Sequence, residues 1–443
     1  MPAVAARVAP FVVAVLVTAG CALVPPRPSS APGLPQPVRH VLPNGVRVIV
    51  QEHRAGDVVA LQLWVRAGGR DETASELGLA HYLEHMLFKG TTSRPTGFID
   101  REVEGVGGRM NAGTSLDYTY YHMVLPAART SAGIDLLADI SVNASLETAV
   151  LDAEKRVVLE EMRLSEDNPR RFLARRLHEA IFEGHPYGRP VIGTPELVRA
   201  LTRETLLAFY RRLYAPEAFT LVVVGPVGPA DVVERARQTF GRLPRSGNSS
   251  LPTPVTPPLR PRRLELRRPG RHAYLGLGWH APRIAHADVA AVDLLVTILG
   301  QTRTSRLTRA LRDDLGLVTS VGSGYSALEA AGAVSVTAQM DPKNLERVEA
   351  EILREIGRLR DEGVTEPERR RAITAAEAQH EFANETAEGR ARALGRAETV
   401  WRLEDELAYL DRVRTVTRTQ IQTAARKYLD PGRYVRITFV PVR

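Results

Sequence analysis

The 443-residue sequence predicts an α+β protein of two related domains, each a mainly antiparallel sheet covered by helices. Three observations carry that prediction. The segment LTRETLLAFYRRLYAPEAFTLVVVGP from Leu201 matches VTRTQIQTAARKYLDPGRYVRITFVP from Val416 without gaps. Thr202, Arg203, Arg211, Pro216 and Pro226 fall on Thr417, Arg418, Arg426, Pro431 and Pro441. Each copy reads as a capped helix, a proline turn and a closing strand. The Pro/Ser/Gly-rich stretch Gly241 to Arg263 lies between the copies as a linker, and the chain is too long for one ordinary core.

Taken in order, the chain opens with Arg7, an apolar run from Val8 to Val17, small residues up to Cys21, and a Pro/Ser-rich stretch. This is the layout of an export signal. VTAGC resembles the lipobox of bacterial lipoproteins, with Thr18 where a larger aliphatic residue is usual. That resemblance implies lipidation of Cys21, and a periplasmic chain anchored to a bacterial membrane, the outer one favoured. A conventional cleaved signal and a retained anchor remain open. Cys21 is the only cysteine, so no disulfide forms within the chain. The expected organisation is a signal and lipobox over 1–21, a tether over 22–36, a catalytic domain over 37–241, a linker over 242–263 and a related domain over 264–443.

The formal charge of +8 comes almost wholly from arginine, since lysine occurs only at Lys89, Lys155, Lys343 and Lys427. The arginines are interspersed with acids as on solvated helix faces, and no basic run is interleaved with aromatics. Nucleic acid is therefore not an expected partner.

VRHVLPNGVRVIVQEH predicts a hairpin closed at Asn44 and Gly45, VVALQLWVRAG a further strand, Ser131 to Arg175 a mostly helical stretch, and FTLVVVGP a buried strand. Gly105 to Gly108 reads as a turn. In SELGLAHYLEHMLFKG the apolar residues Leu77, Leu79, Ala80, Leu83, Leu87 and Phe88 recur at helical spacing, and Gly90 ends the helix. Residues four apart stack on one helix face, so His81 and His85 can both direct a ring nitrogen to one cation. Glu84 borders that face, and its carboxylate is a candidate general base. Two histidines leave such a site short of a third ligand.

GLAHYLEHMLFKGT, with its H-x-x-E-H motif, resembles the inverted zinc motif of the pitrilysin, insulinase and mitochondrial-processing-peptidase family. The resemblance implies Zn2+, and a third ligand some 75 residues on, a position held here by Glu161 in ETAVLDAEKRVVLEEMRLSEDNP. Glu154, almost two helical turns earlier, shares the face of Glu161 and is expected to support the ligands by hydrogen bonding. Glu160 points about 100° away. GGRMNAGTSLDYTYYHMVLP resembles the family's N-A-x-T segment, which implies that Asn111 and Ala112 begin an edge strand to which a peptide substrate adds. HPYGRPVIGTPELVRAL resembles the loop after the third ligand. His122 and His185 lack helical partners and are read as structural.

The resemblance implies the processing-peptidase type of metallohydrolase fold, and endopeptidase activity on peptides or unfolded segments. In the second domain of active family members an arginine and a tyrosine seven residues apart grip the substrate. Arg312 takes the arginine position, but Thr319 stands at the tyrosine position. A homodimer, or a heterodimer with a related chain carrying that pair, is therefore the expected assembly. A non-catalytic scaffold subunit of the same family is the alternative reading.

Overall fold

A computed structural model describes residues 35–245 and 255–442. The export segment with Cys21, all of the tether but its last two residues, and the middle of the linker lie outside the described residues. Among the described residues no helix is long and apolar enough to cross a membrane.

The first half builds a six-stranded sheet from β1 (Val38–Val41), β2 (Arg47–Glu52), β3 (Val58–Val65), β4 (Arg109–Thr114), β5 (Thr119–Pro126) and β6 (Phe219–Gly225). Their order is β1-β2-β6-β3-β5-β4, and only β2 and β6 run parallel. The β1–β2 hairpin turns where expected: Gly45 takes a φ of 96°, which disfavours a side chain, and the Asn44 amide donates to the Phe240 carbonyl at 2.8 Å. The second half builds β7 (Arg262–Pro269), β8 (Ala273–Ala281), β9 (Val318–Ala327), β10 (Gly332–Met340) and β11 (Val435–Val442), in the order β7-β11-β8-β10-β9.

Apart from β1, the two sheets share one topology. β11 lies parallel to β7 and antiparallel to β8, as β6 lies between β2 and β3. Each of these closing strands follows an 11-residue helix, Arg203–Leu213 or Arg418–Tyr428, whose N-terminal amides are capped by Thr202 or Thr417. The sequence repeat is thus a structural one.

Helices α1 (Leu79–Leu87), α2 (Phe98–Glu104), α3 (Thr130–Val142), α4 (Thr148–Asp167) and α5 (Pro169–Ile181) follow in the first half. The central strands are buried on both faces, β6 at every residue. Each sheet therefore needs cover on two sides. One side of the first sheet packs α1 and α3 in a single core. Its other side, with Ile49, Ala60, Trp64, Val222 and Val224, receives Ala387, Ala391 and Leu394 of a helix from the second half, Ala387–Val400. The exchange is mutual, because α5 of the first half lays Leu173, Leu177 and Ile181 on the outer face of the second sheet beside Val435, Ile437 and Phe439. Glycines permit both close approaches: a Cβ on Gly278 would lie 2.4 Å from Ile181, and one on Gly395 would lie 2.1 Å from the Trp64 indole nitrogen.

A polar contact joins the halves as well. The β9–β10 loop enters the first half, where Glu329 takes a hydrogen bond from Arg66, forms an ion pair with Arg70, and donates its own N–H to Asp117 at 2.9 Å. The Tyr187 hydroxyl donates to Asp117 and accepts the Ala330 N–H.

Candidate metal centre

The α1 sequence LAHYLEHML buries Leu79, Ala80, Tyr82, Leu83, Met86 and Leu87, which leaves His81 and His85 on the remaining face. The Tyr82 hydroxyl donates to the Leu151 carbonyl and so ties α1 to α4. The helix begins at Gly78, whose φ is 96°. A Cβ there would meet the Ile192 carbonyl oxygen at 2.8 Å, and one on Gly193 would meet the Leu77 carbonyl oxygen at 2.4 Å. The loop resembling the family's post-ligand segment thus presses its glycine against the start of α1, and no larger residue fits. The first-turn amides find no cap on Gly78. Instead the Gly78 and Ala80 N–H groups donate to the Glu72 carboxylate at 3.0 and 2.7 Å.

Across from α1, α4 places Glu161 so that its Oε2 is 3.7 Å from His81 Nε2 and 3.6 Å from His85 Nε2. Among the described residues, these three are the one group of side chains that could together hold a metal ion. Ligands at about 2.05 Å around a tetrahedral zinc stand about 3.3 Å apart, so the Glu161 oxygen lies at nearly the right distance from each ring nitrogen. Two imidazoles and one carboxylate also suit its borderline-soft character.

The surroundings set the protonation of the ligands. His85 Nδ1 meets Glu154 Oε1 at 2.9 Å, and Lys89 Nζ meets the other Glu154 oxygen at 3.1 Å. That carboxylate is held below its usual range, first by His85 and then by Lys89. Burial pulls His85 down, but Glu154, Glu161 and Glu84 outweigh it and leave the ring above its ordinary value. His81 is lowered to about 4 by burial and by His85, so it stays neutral and free to ligate. Burial raises the Glu84 carboxyl, and the Thr114 hydroxyl, donating to Glu84 Oε2 at 2.5 Å, restrains that rise.

A cavity of about 560 Å3 opens over these groups, walled by α1, by Glu154 and Glu161 of α4, by Asp100 and Glu104 of α2, and by Arg109 to Ala112 of β4. β4 is an edge strand, paired with β5 alone. Its Met110, Ala112 and Thr114 face α1, while Arg109 on the opposite face pairs with Glu388 at 2.6 Å. The Ala112 N–H at the edge is taken by the Asn111 side chain at 2.8 Å.

Arg312 does not reach this cavity. It lies in an exposed helical turn and pairs with Asp313, while Thr319 donates to the Gln339 carbonyl and Tyr325 to the Pro282 carbonyl. His122 is buried beside Glu388, and His185 accepts the Tyr187 N–H; neither joins the metal group. Glu160 pairs with Arg163 on the surface. The sequence reading missed Lys89, Thr114 and Glu72. Thr114 carried a usable signal, because it sits on the same strand face as Ala112.

The fold and this site define a class: two-domain α+β chains in which one helix presents an H-x-x-E-H pair to a glutamate from a second helix. Comparison with known proteins agrees. Residues 47–195 match the family described as Insulinase (Peptidase family M16), and residues 200–376 match the Peptidase M16 inactive domain. An uncharacterized zinc protease of Mycobacterium tuberculosis is 34% identical over 338 residues, covering 75% of this chain and 76% of the relative. One from Streptomyces coelicolor is 30% identical over 410 residues, covering 88% and 87%. A protease from Helicobacter pylori superposes with a TM-score of 0.86 at 24% identity, over 92% of this chain and 100% of that one. A peptidase M16 inactive domain from Pseudomonas fluorescens gives 0.84 at 21% identity, over 92% and 99%. The chain belongs to peptidase family M16.

Proposed function

We propose that this chain is a zinc-dependent endopeptidase acting on peptides or unfolded protein segments. One observation carries the reading: His81, His85 and Glu161 converge on a single point, with the Glu84 carboxylate beside them and an unpaired strand edge along the same cavity. Zinc held by those three side chains would polarise a peptide carbonyl and make a water nucleophilic. Glu84 accepts a proton from the attacking water as the new C–O bond forms, and passes it to the amide nitrogen as the C–N bond breaks. Glu154 fixes the His85 ring through Nδ1. β4 orients the peptide through its free backbone groups once the Asn111 side chain leaves the Ala112 N–H.

The same reading includes export and attachment to a membrane through lipidated Cys21. It also includes pairing with a second copy or a related chain, which Thr319 at the usual tyrosine position supports. Arg312 would contact substrate only in that assembly. The scaffold alternative is favoured by the name of one family model and one structural neighbour, both described as inactive domain. The ligand set and Glu84 weigh against it.

Glu84→Gln decides between them. An endopeptidase retains stoichiometric zinc in this variant and loses cleavage of a mixed peptide library by a factor of about 100 or more. Equal activity of variant and parent, or a parent that binds no zinc when purified with it, refutes the proposal.

A further inference from the structure

We infer that the second half of the chain helps to build the metal centre, with Glu329, Arg70 and Glu72 linking the β9–β10 loop to the first turn of α1. The inference rests on the zinc reading above and makes Glu72 and Glu329 positioning residues for the two histidines.

Glu72 is only 3% exposed, and its hydrogen bonds go to the amides of Gly78 and Ala80. Burying a carboxylate among apolar groups is unfavourable, and two amide donors with no guanidinium or ammonium pair offset it poorly: burial drives this carboxyl up to about 8. An apolar side chain would serve packing better at that place. What the Glu72 side chain does supply is an anchor for the start of α1. Both of its oxygens grip the turn that immediately precedes His81, so the rotation and advance of the helix, and with them both Nε2 atoms, follow Glu72.

Glu72 is itself carried on the tight turn that begins at Gly68, closed by the Gly68 N–H donating to Asp71 at 2.9 Å. Arg70 in that turn is nearly buried and reaches Asp117 at 3.1 Å and Glu329 at 2.8 Å. Arg66 meets the other oxygen of Glu329, and the Glu329 N–H returns to Asp117. The turn is thus clamped between one acid of its own half and one from the β9–β10 loop of the second half. Loss of Glu329 would leave two guanidinium groups short of a partner and release the turn on which Glu72 stands.

A contact that merely glues the halves would behave otherwise, and a control exists. Arg170 of α5 donates to Gln339 of β10 at 2.8 Å, joining the same halves without touching the turn. Full-length parent, Glu72→Gln, Glu329→Gln, Arg70→Lys and Gln339→Ala are each titrated with zinc against a competing chelator, and their metal-free unfolding midpoints are measured alongside. Glu72→Gln should bind zinc about tenfold more weakly or worse, and Glu329→Gln and Arg70→Lys about three- to tenfold more weakly. Gln339→Ala should stay within about twofold, whatever its midpoint. Should Glu329→Gln not fold, Arg70→Lys carries the test, since lysine keeps the charge but cannot bridge both acids. Parental affinity in Arg70→Lys and Glu329→Gln overturns the inference and leaves the zinc reading intact. Equal weakening in Gln339→Ala also overturns it. A parent that binds no zinc overturns both.

Discussion

Replacing glycine by alanine within a helix should have opposite effects at two places in this chain. Gly357, in the helix Leu345–Asp361, has nothing within 4 Å of its would-be Cβ. Gly357→Ala should therefore gain about 0.5–1 kcal/mol from helix propensity. Gly395 is also helical, but its would-be Cβ lies 2.1, 2.4 and 2.6 Å from Nε1, Cδ1 and Cε2 of Trp64. The indole cannot yield. It is fully buried, Tyr118 and Tyr120 stand 4.8 and 4.7 Å from it, and its N–H donates to Gln62 at 2.9 Å. The helix must then retreat by more than an ångström, which loosens Ala391 and Leu394 on the first sheet. Overpacking of this kind costs about 1–3 kcal/mol. Set against the propensity gain, Gly395→Ala should lose up to about 2.5 kcal/mol. Urea unfolding followed by tryptophan fluorescence reads both variants: the midpoint rises for Gly357→Ala and falls for Gly395→Ala. Shifts of the same sign would refute the claim that the exchanged helix needs glycine to seat on Trp64.

Other outcomes follow from the metal centre and its surroundings. Glu154→Gln should weaken zinc binding about 10- to 100-fold, or about 1.4–2.7 kcal/mol, in a chelator competition. Thr114→Val removes the hydroxyl that restrains the Glu84 carboxyl; burial then raises it further, and because only the carboxylate accepts a proton, the acid limb of kcat/KM should move to higher pH. In the second half, burial opposes ionisation of Glu368, but Arg306 and the Thr365 N–H hold it at about 2 against an ordinary 4.5. Its stabilising effect is complete above pH 4.5 and is lost as pH falls through about 2. Glu368→Gln should be less stable than the parent at pH 7, with the gap closing over that window in acid titrations of unfolding.

The helix of the candidate metal centre was the most legible part of the sequence, because four-residue spacing puts His81 and His85 on one helix face. Glu161 was not legible from spacing: an acid on a half-exposed helix looks like any other, and only resemblance to a family singled it out. The duplication was readable from the matched segments at Leu201 and Val416, and the structure extends it to strand order. The exchange of helices was not. The apolar positions Leu173, Leu177 and Ile181 state that α5 has a face to bury, but periodicity cannot say against which sheet. Glu72 stayed hidden for a related reason. In GGRDETASELG it reads as one more surface acid, and its burial depends on how the turn from Gly68 folds under α1.

The mutual loan of helices between the halves bears on how the molecule tolerates a nick. Severing the backbone at the proline-rich connection would yield two fragments, each still holding an element the other requires, so they should copurify as a clasped pair. Expressed separately, either fragment would present a bare greasy sheet to water and should be recovered only when its counterpart is supplied.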